Sequence, residues 1–245
     1  MKQILVVSDN PRLVKFFREE CNNQQINNVA NIEYKYSSIN KNPSEMMDLG
    51  LTPINVKDKV TIGLIKNNYS LILSLHCKQI FPPELVSSVT CINVHPGLNP
   101  YNRGWYPQVF SIINGKPIGA TIHLMDSDVD HGKIFDQIGV DVRLSDTSFD
   151  VYERVFQAEM ILIRRTLLKI IYDELEGVAP SFCGNYNTIQ DFKSLCHLDL
   201  EAVAPLGEHI NLLRALSHGT FKNAYFINEQ GKKIFIRVSL EEESC

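Results

Sequence analysis

The first 180 residues alternate between short apolar runs and longer segments whose apolar residues recur at helical spacing. The short runs lie at residues 4–7, 32–36, 71–75, 91–95, 120–125 and 134–138. Their length and apolar content are typical of strands in a sheet that helices cover on both faces. Segments with helical spacing lie between or after them, at residues 13–20, 106–113 and 149–176. This order predicts an α/β fold built on a doubly wound, mostly parallel sheet.

The pattern changes near Pro180, and we predict two domains, residues 1–180 and residues 181–245. The second, a small α+β unit, is predicted to hold one helix and a β-hairpin, at residues 208–216, 224–227 and 233–238. A unit of about 60 residues buries little surface, so we expect it to need support from a partner surface. Residues 38–55 are polar, contain two prolines and predict no definite element.

The composition is that of an ordinary globular protein, with 44% hydrophobic and 21% charged residues in a chain of 245. The net charge is −4, and residues 186–245 carry six Lys or Arg against eight Asp or Glu. We therefore expect no nucleic acid as a partner. No apolar run is long enough to cross a bilayer, and residues 4–7 are interpreted as a strand rather than a signal peptide, so no membrane association is expected.

The six cysteines, of which Cys245 is the last, are scattered and form no Cys-x-x-Cys pair. This argues against a zinc cluster and against a disulfide framework, and it suits a reducing, cytoplasmic location. Residues 8–12, after the first strand, lack the Gly-x-Gly-x-x-Gly pattern that holds a dinucleotide pyrophosphate, and the chain has no Walker lysine loop. Neither hydride transfer nor an ATP site of that type is predicted.

Chemistry is indicated where the strand at residues 91–95 ends. Alternation along a strand places Asn93 and His95 on one face, about 6.6 Å apart, just before Pro96 and Gly97 end it. Alone, an Asn-x-His pair is better explained as the start of a polar loop. Three further segments change that interpretation. They read Leu-Asn-Pro-Tyr-Asn-Arg-Gly-Trp at 98–105, Gly-Ala-Thr-Ile-His-Leu-Met-Asp at 119–126 and Val-Asp-His-Gly-Lys-Ile at 129–134.

Together these segments resemble the folate-dependent formyltransferases. In that family the pattern reads Asn-x-His-Pro-Ser/Gly-Leu-Leu-Pro-x-x-Arg-Gly, followed by Gly-x-Thr-x-x-x-Met/Val-Asp-x-x-x-Asp-x-Gly. The match is dense over residues 70–137. One departure is Asn99, where the family often has Leu, and we expect it not to touch the chemistry. The resemblance implies a Rossmann-like formyltransferase core that transfers a formyl group from N10-formyltetrahydrofolate to an amine.

Formyl transfer needs an uncharged amine, a donor to the developing oxyanion and an acceptor for the proton that the nitrogen loses. Asn93 is a neutral donor, and His95 has a side chain that can accept a proton near neutral pH. Asp130 could orient His95 and favour its protonated form. The resemblance assigns the same three residues to catalysis. Both segments follow strands, so they converge at one edge of the sheet if those strands are neighbours.

Other acidic and histidine residues near this motif leave alternatives open. Asp126 and Asp128 compete with Asp130, and without the resemblance Asp130 is better explained as a turn residue beside Gly132. His123 lies inside a predicted strand and is interpreted as packing. No His, Cys or Asp spacing resembles a metal-ligand set, so no metal is predicted.

The resemblance also implies where the folate binds. Its pterin ring would lie between the loop at residues 76–80 and the loop at residues 125–129, although each loop could be an ordinary connection. The candidate contacts are His76, Cys77, Lys78, Ile80, Met125, Asp126, Ser127 and Val129.

Residues after the long helix distinguish among formyl acceptors. The tail is shorter and more acidic than in methionyl-tRNA formyltransferases, and longer than in glycinamide ribonucleotide formyltransferases. Formyltetrahydrofolate hydrolases place a regulatory domain before the sheet, whereas the first strand here begins at Ile4. Residues 213–226 resemble the segment before the C-terminal hairpin of sugar-nucleotide N-formyltransferases. That branch implies a dTDP-linked amino-dideoxy sugar as acceptor, dTDP-4-amino-4,6-dideoxyglucose above all, in the synthesis of lipopolysaccharide O-antigen.

Aromatic side chains in that segment could stack on the base, and basic ones could bind the pyrophosphate. The candidates are Phe221, Lys222, Asn223 and Tyr225, with Arg103 and Trp105 nearer the sugar. Hairpin packing must explain either Tyr225 or Phe226, because neighbours on a strand face opposite sides. An isolated hairpin is marginally stable, so the resemblance implies a homodimer built on it. A methionyl-tRNA formyltransferase-like enzyme and a non-catalytic folate- or nucleotide-binding protein remain the alternatives.

Overall fold

A seven-stranded sheet forms the centre of the protein in the computed structural model, which describes residues 1–243 and leaves Cys245 outside the described part. Its strands are β1 (Lys2–Ser8), β2 (Ala30–Ser37), β3 (Thr52–Ile54), β4 (Leu71–Leu75), β5 (Thr90–His95), β7 (Ile118–Leu124) and β8 (Ile134–Val140). They follow the order β3-β2-β1-β4-β5-β7-β8. Two short strands, β6 (Arg103–Gly104) and β9 (Tyr186–Asn187), pair separately. The predicted α/β fold on a mostly parallel sheet is confirmed.

One strand of the seven-stranded sheet, β7, runs opposite to the other six. The strands β1 to β5 run parallel, whereas β7 is antiparallel to both of its neighbours, β5 and β8. Leu124, at the end of β7, is therefore opposite Ile92 rather than opposite the end of β5. The two motif-bearing strands are neighbours, but their carboxyl ends point in opposite directions. The loop at residues 125–133 turns back and carries Asp130 to the end of β5.

Helices cover both faces of the sheet. They are α1 (Pro11–Asn23), α2 (Ser44–Asp48), α3 (Lys59–Asn68), α4 (Pro83–Val86), α5 (Pro107–Asn114), α6 (Ser148–Ile171), α7 (Ile189–Cys196) and α8 (Leu206–Leu216), with a 3-10 turn at Ile26–Asn28. Alternate residues of β1 enter different cores, Ile4 and Val6 with α1, α5 and α6, and Leu5 and Val7 with α3 and α4. This is the doubly wound arrangement.

The long helix α6 forms one wall of the site described below. It begins in a capping box, in which Thr147 and Asp150 satisfy each other's backbone N–H groups. The prediction that it continues to residue 176 was wrong, because it ends at Ile171. Asp173 adopts a left-handed conformation with φ 58°, which a right-handed helix cannot accommodate.

Two elements lie in the stretch that predicted none. Residues 38–55 contain α2 and β3, the latter an edge strand that pairs with β2. The helix α3 follows them and was not predicted. Its N-cap is Asp58, whose carboxylate accepts a hydrogen bond of 2.8 Å from the Thr61 N–H.

The C-terminal part packs against the large sheet domain. Ala215, Leu216 and Ala224 are buried in the same core as α5 and α6. The antiparallel strands β10 (Tyr225–Ile227) and β11 (Lys233–Phe235) form the predicted hairpin, although β11 ends before residue 238. The division into domains at residue 180 stays a prediction. Among the described residues, no helix has both the length and the apolar character needed to cross a membrane.

Candidate active site

A cavity of about 660 Å³ opens beyond the end of β5. Its walls come from the loops after β1, β4, β5 and β7, from the start of α5, from one face of α6 and from the segment at residues 218–223. The topology explains this convergence, because the parallel strands β1, β4 and β5 all end at this edge.

Three predicted catalytic residues meet at the floor of the cavity. β5 places Asn93 and His95 on one face, and both line the cavity. The Asn93 Nδ2 donates a hydrogen bond of 3.1 Å to Asp130 Oδ1. The His95 Nδ1 lies 3.5 Å from Asp130 Oδ2. The structure thus brings together the groups that the motifs singled out.

Backbone contacts hold Asp130 in place. Its conformation is left-handed, with φ 51°, so it depends on its surroundings for support. The Gly104 N–H donates to its Oδ2 over 3.1 Å, and the Asn99 Nδ2 donates to its carbonyl over 2.9 Å. The expectation that Asn99 does not touch the chemistry was therefore wrong. Asn99 donates a hydrogen bond to Asp130, which lies beside His95 in space, and a leucine side chain has no donor for such a bond.

His123 also belongs to this cluster, and its interpretation as packing was wrong. It is 1% exposed, and its Nε2 lies 3.3 Å from Asn93 Nδ2 and 3.4 Å from Asp130 Oδ1. Its position follows from the register, since His123 is directly opposite Asn93 in the antiparallel pair β5 and β7. The sequence indicates only on which face of its strand each side chain lies. This places His123 beside Asn93 only once the pairing of β5 and β7 is known.

His95 and Asp130 differ in how burial and nearby charges shift their pKa values. Burial lowers the pKa of His95 to about 4, although Asp130 beside it favours the charged ring. For Asp130, burial acts to raise the pKa. The charges of His95 and His123 and the Gly104 N–H outweigh burial and hold that pKa below its usual range. At neutral pH His95 is therefore a neutral base beside an ionised carboxylate. Within residues 1–243 its buried Nε2 has no hydrogen-bond partner.

All eight predicted folate contacts line the cavity. The His76 side chain is also bound within the protein, with its Nε2 2.6 Å from Glu159 Oε1 and its Nδ1 3.1 Å from Asn10 Nδ2. The Lys78 N–H donates to Asp9 over 2.7 Å, which fixes the loop after β4. Burial raises the pKa of the Cys77 thiol to about 12, so it is a neutral wall group rather than a nucleophile.

The predicted acceptor contacts divide into two groups. Trp105, Phe221 and Asn223 line the cavity, whereas Arg103, Lys222 and Tyr225 do not. The Arg103 guanidinium is buried and donates to the Val129 carbonyl over 3.0 Å, so it holds the loop that carries Asp130. The Tyr225 ring stacks on His197 with centroids 5.3 Å apart. The Lys222 Nζ lies 5.6 Å from the ring centroid of Phe235.

Several cavity residues were not predicted at all. They are Asp9, Asn10, Ser148, Tyr152 and His218. Four of them come from elements whose sequence carries no motif for this chemistry, and only the fold brings them to the cavity. His218 lies in the segment at residues 213–226 but was not among the predicted contacts. Within the described residues, no group of three or more His, Cys, Asp or Glu side chains is arranged to hold a metal ion.

Comparison with known proteins agrees with this geometry. Residues 1–167 match the model of the formyl transferase family, and residues 191–242 match the N-formyltransferase dimerization C-terminal domain. The chain belongs to the formyl transferase family. It is an N-formyltransferase, and N10-formyltetrahydrofolate is its co-substrate, so the predicted family, enzyme class and co-substrate are confirmed.

Individual relatives resemble the chain over most of its length. The dTDP-4-amino-4,6-dideoxyglucose formyltransferase of Mycobacterium bovis is 45% identical over 182 residues, which cover 74% of this chain and 78% of that protein. A sugar N-formyltransferase from a Shewanella species has 49% identity and a TM-score of 0.97, with 100% of both chains covered. A 4-N formyltransferase from Francisella tularensis has 41% identity and a TM-score of 0.88, with 99% of both chains covered.

Proposed function

We propose that this formyltransferase acts on a dTDP-linked amino-dideoxy sugar, dTDP-4-amino-4,6-dideoxyglucose above all. The observation that carries the proposal is that Phe221 and Asn223 line the same cavity as Asn93, His95 and Asp130. A C-terminal segment thereby contributes to the site where the formyl group is transferred. The Mycobacterium bovis relative, named for that sugar nucleotide, and the sugar N-formyltransferase from Shewanella support the choice of acceptor.

The cavity suits both substrates of such a reaction. Its volume lies in the range of ligand pockets, which run from about 300 to 1,000 Å³. Apolar groups on either side, Ile80 and Phe81 from one loop and Met125 and Val129 from the other, offer faces for a flat pterin ring. The His95 Nε2 is a buried polar atom with no hydrogen-bond partner among residues 1–243, so it can bond to a ligand.

N10-formyltetrahydrofolate supplies the formyl group when it is bound. His95, neutral at physiological pH, accepts through its Nε2 the proton that the sugar amine loses on attacking the formyl carbon. Asp130 stabilises the resulting imidazolium from the other side of the ring, 3.5 Å from Nδ1. His95 then returns the proton to the departing folate nitrogen. The bond between the formyl carbon and that nitrogen breaks, and the bond to the sugar nitrogen remains.

Asn93 donates to the formyl oxygen as that oxygen gains negative charge. In the structure its Nδ2 is bonded to Asp130 at 3.1 Å and contacts His123 at the longer distance of 3.3 Å. The longer contact is the weaker one, and it is the one that Asn93 gives up for the oxyanion. The bond to Asp130 keeps the amide plane in position while this exchange occurs.

A mass-spectrometric turnover assay tests the proposed function. N10-formyltetrahydrofolate is offered with dTDP-4-amino- and dTDP-3-amino-dideoxyhexoses, a UDP-amino sugar and methionyl-tRNA. We expect a gain of one formyl mass on the dTDP-4-amino sugar, and loss of that gain in His95→Asn. Formylation of the tRNA alone would contradict the choice of acceptor. Binding of substrates without any turnover would instead favour a non-catalytic binding protein.

We also propose a homodimer in which the C-terminal hairpin forms the contact. Residues 191–242 match a dimerization domain, and the hairpin exposes large apolar side chains. Ile227 is 49% exposed, Ile234 40% and Phe235 41%. A cluster of this kind on a two-stranded hairpin is stabilised by a second copy. Light scattering at micromolar concentration should give twice the chain mass, and Ile234→Glu should shift it toward the single chain.

A cytoplasmic location and a role in lipopolysaccharide O-antigen synthesis complete the proposal. Five cysteines of the described residues, Cys21, Cys77, Cys91, Cys183 and Cys196, are free thiols, a state that a reducing compartment preserves. Fractionation of cells followed by immunoblotting tests the location. Analysis of O-antigen sugars after deletion of the coding sequence tests the role.

A further inference from the structure

A buried carboxyl group lies behind the cavity wall and has no part in the transfer chemistry. Glu159, near the middle of α6, is 0% exposed. Its Oε1 lies 2.6 Å from His76 Nε2, and its Oε2 has no hydrogen-bond partner within residues 1–243. Burial raises its pKa, and the His76 ring opposes that effect. Burying an ionisable group in a core costs free energy, so we expect this carboxyl group to hold other groups in place.

From Glu159 a chain of hydrogen bonds leads back to the cavity. His76 Nδ1 lies 3.1 Å from Asn10 Nδ2, and the same Asn10 Nδ2 lies 3.2 Å from the Tyr152 hydroxyl. His76, Asn10 and Tyr152 all line the cavity. His76 has a left-handed backbone, with φ 58°, a conformation that persists where the surroundings support it.

The direction of every bond in this chain is determined. Asn10 Oδ1 caps α1 by accepting from the Leu13 N–H over 3.2 Å, so the other amide atom is the nitrogen and donates. His76 Nδ1 accepts from it, which places the proton of the neutral ring on Nε2, facing Glu159. Glu159 Oε1 accepts that proton whether the carboxyl group is ionised or carries a proton on Oε2.

Tyr152 is left with a proton to donate. Its oxygen already accepts from Asn10, and within the described residues no acceptor is bonded to its own hydroxyl proton. Burial first, and then the charge of Glu159, raise the pKa of Tyr152 to about 12, so the proton is present at neutral pH. The cavity is therefore where this donor finds its acceptor.

Neighbouring residues indicate which ligand supplies the acceptor. The Tyr152 ring packs edge to face against His218 with centroids 5.4 Å apart, and His218 packs against Phe221 at 5.8 Å. This places Tyr152 on the wall formed by the C-terminal segment, beside Phe221 and Asn223, for which we propose nucleotide contacts. Neither His218 nor Phe221 belongs to the two loops that flank the folate. His76, which lies in one of those loops, is linked to the Tyr152 hydroxyl only through Asn10.

We propose that Tyr152 is a binding residue for the nucleotide part of the acceptor substrate. Its hydroxyl donates a hydrogen bond, and an oxygen of that ligand accepts it. Glu159, His76 and Asn10 are positioning residues that fix the direction of this donor. The inference rests on the proposed function, in which the formyl acceptor is a nucleotide sugar.

Isothermal titration with dTDP and with 5-formyltetrahydrofolate tests the role of Tyr152. In Tyr152→Phe we expect the dissociation constant for dTDP to rise about tenfold, which corresponds to one lost hydrogen bond, while that for the folate stays within about twofold. The matched control is Tyr172→Phe, because Tyr172 caps the far end of α6 and is 54% exposed. An unchanged affinity for dTDP, or an equal loss for both ligands, would overturn the proposal.

Glu159 variants test the positioning role. Glu159→Leu removes the acceptor and should weaken dTDP binding as much as Tyr152→Phe does, with no further loss in the double variant. Glu159→Gln should restore most of the affinity, because an amide oxygen can accept from His76. Glu20→Leu is the control, since Glu20 is also buried but pairs with Arg164 away from the cavity. Additive losses of dTDP affinity in the double variant, or an equal loss in Glu20→Leu, would contradict the positioning role of Glu159. Tyr152→Phe decides the question alone if Glu159→Leu does not fold.

Two arms of the experiment separate this inference from the proposed function. Wild-type protein that binds the folate but not dTDP would remove both. Wild-type protein that binds dTDP, with unchanged binding in Tyr152→Phe, would remove only the inference. Repeating the titration with dTMP locates the oxygen, since a loss confined to dTDP assigns it to the terminal phosphate and an equal loss assigns it to the rest of the nucleotide.

Discussion

Two histidine–carboxylate pairs each place a histidine in the wall of the same cavity, and they differ in what the two rings are free to bind. In the pair His95 and Asp130 the contact is 3.5 Å, and the second ring nitrogen has no partner among the described residues. In the pair His76 and Glu159 the contact is 2.6 Å, and the second ring nitrogen is bonded to Asn10. The residue types are almost the same, and the occupancy of the second nitrogen distinguishes the two pairs.

The difference shows that a histidine beside a carboxylate is a base only if one nitrogen remains open to a substrate. Asp130 lies in a loop held by backbone contacts, so His95 is stabilised from one side and open on the other. Glu159 lies in a helix within the core, and both nitrogens of His76 are occupied by the protein. We therefore assign proton transfer to the first pair and positioning to the second.

The largest expected effect is on turnover. His95→Asn should lower kcat about 10²- to 10⁴-fold, the usual contribution of a general acid–base group, with both KM values changed only a few fold. His76→Asn should leave kcat within about tenfold and raise mainly the KM for the nucleotide sugar. Steady-state kinetics with each substrate varied in turn makes the comparison.

One kinetic result would contradict the different roles assigned to the pairs His95–Asp130 and His76–Glu159. If His76→Asn loses as much kcat as His95→Asn, the proton passes through both rings and the assignment above is wrong. Tyr172→Phe, at the far end of α6 and outside the cavity lining, controls for nonspecific effects of a substitution that lies away from the site. It should leave both kinetic constants at their wild-type values.

The next effect in size is a shift in titration. His95 should stay neutral down to about pH 4 rather than titrate at the ordinary value of 6.5, a shift that corresponds to about 300-fold weaker proton binding. Histidine-selective NMR across a pH series measures it. A midpoint near pH 6.5 for the His95 ring would contradict its burial as the controlling influence.

The same shift predicts how stability depends on pH. Below pH 6.5 the unfolded chain binds a proton at His95, while the folded protein does not until about pH 4. This residue therefore lowers the free energy of unfolding as the pH falls from 6.5 to 4, and it contributes no change above that window. In His95→Asn the acid-side loss of stability between those values should be smaller, as urea unfolding at several pH values would show.

The sequence predicted those parts of the molecule whose signal is local. Apolar runs marked six of the seven strands of the central sheet, all but β3, and the motif at residues 93–97 marked the end of β5 because alternation and proline act over a few residues. The resemblance then singled out Asp130, which no local pattern distinguishes from Asp126 or Asp128. The structure brings that residue, and neither of the others, to His95.

Features that depend on pairing between distant strands could not be predicted in this way. The role of His123 follows from the antiparallel register of β5 and β7, which periodicity does not reveal. Glu159 and Tyr152 lie on a helix whose pattern shows only amphipathicity, and their partners come from the loops after β1 and β4. Arg103 was predicted to lie nearer the sugar, but its guanidinium is buried and donates to the Val129 carbonyl.

The smallest expected effect concerns Asn99. Its substitution tests how far the position of Asp130, unlike that of Glu159, depends on contacts made to a loop. Asn99→Leu removes the 2.9 Å hydrogen bond to the Asp130 carbonyl, and we expect kcat to fall about threefold to tenfold. The effect is limited because the Gly104 N–H still holds the carboxylate. The melting temperature should not fall, since the substitution also removes the buried Asn99 Oδ1, which has no partner within residues 1–243. Steady-state kinetics and thermal unfolding together test this, and an unchanged kcat with a lower melting temperature would mean that Asn99 supports the fold rather than the position of Asp130.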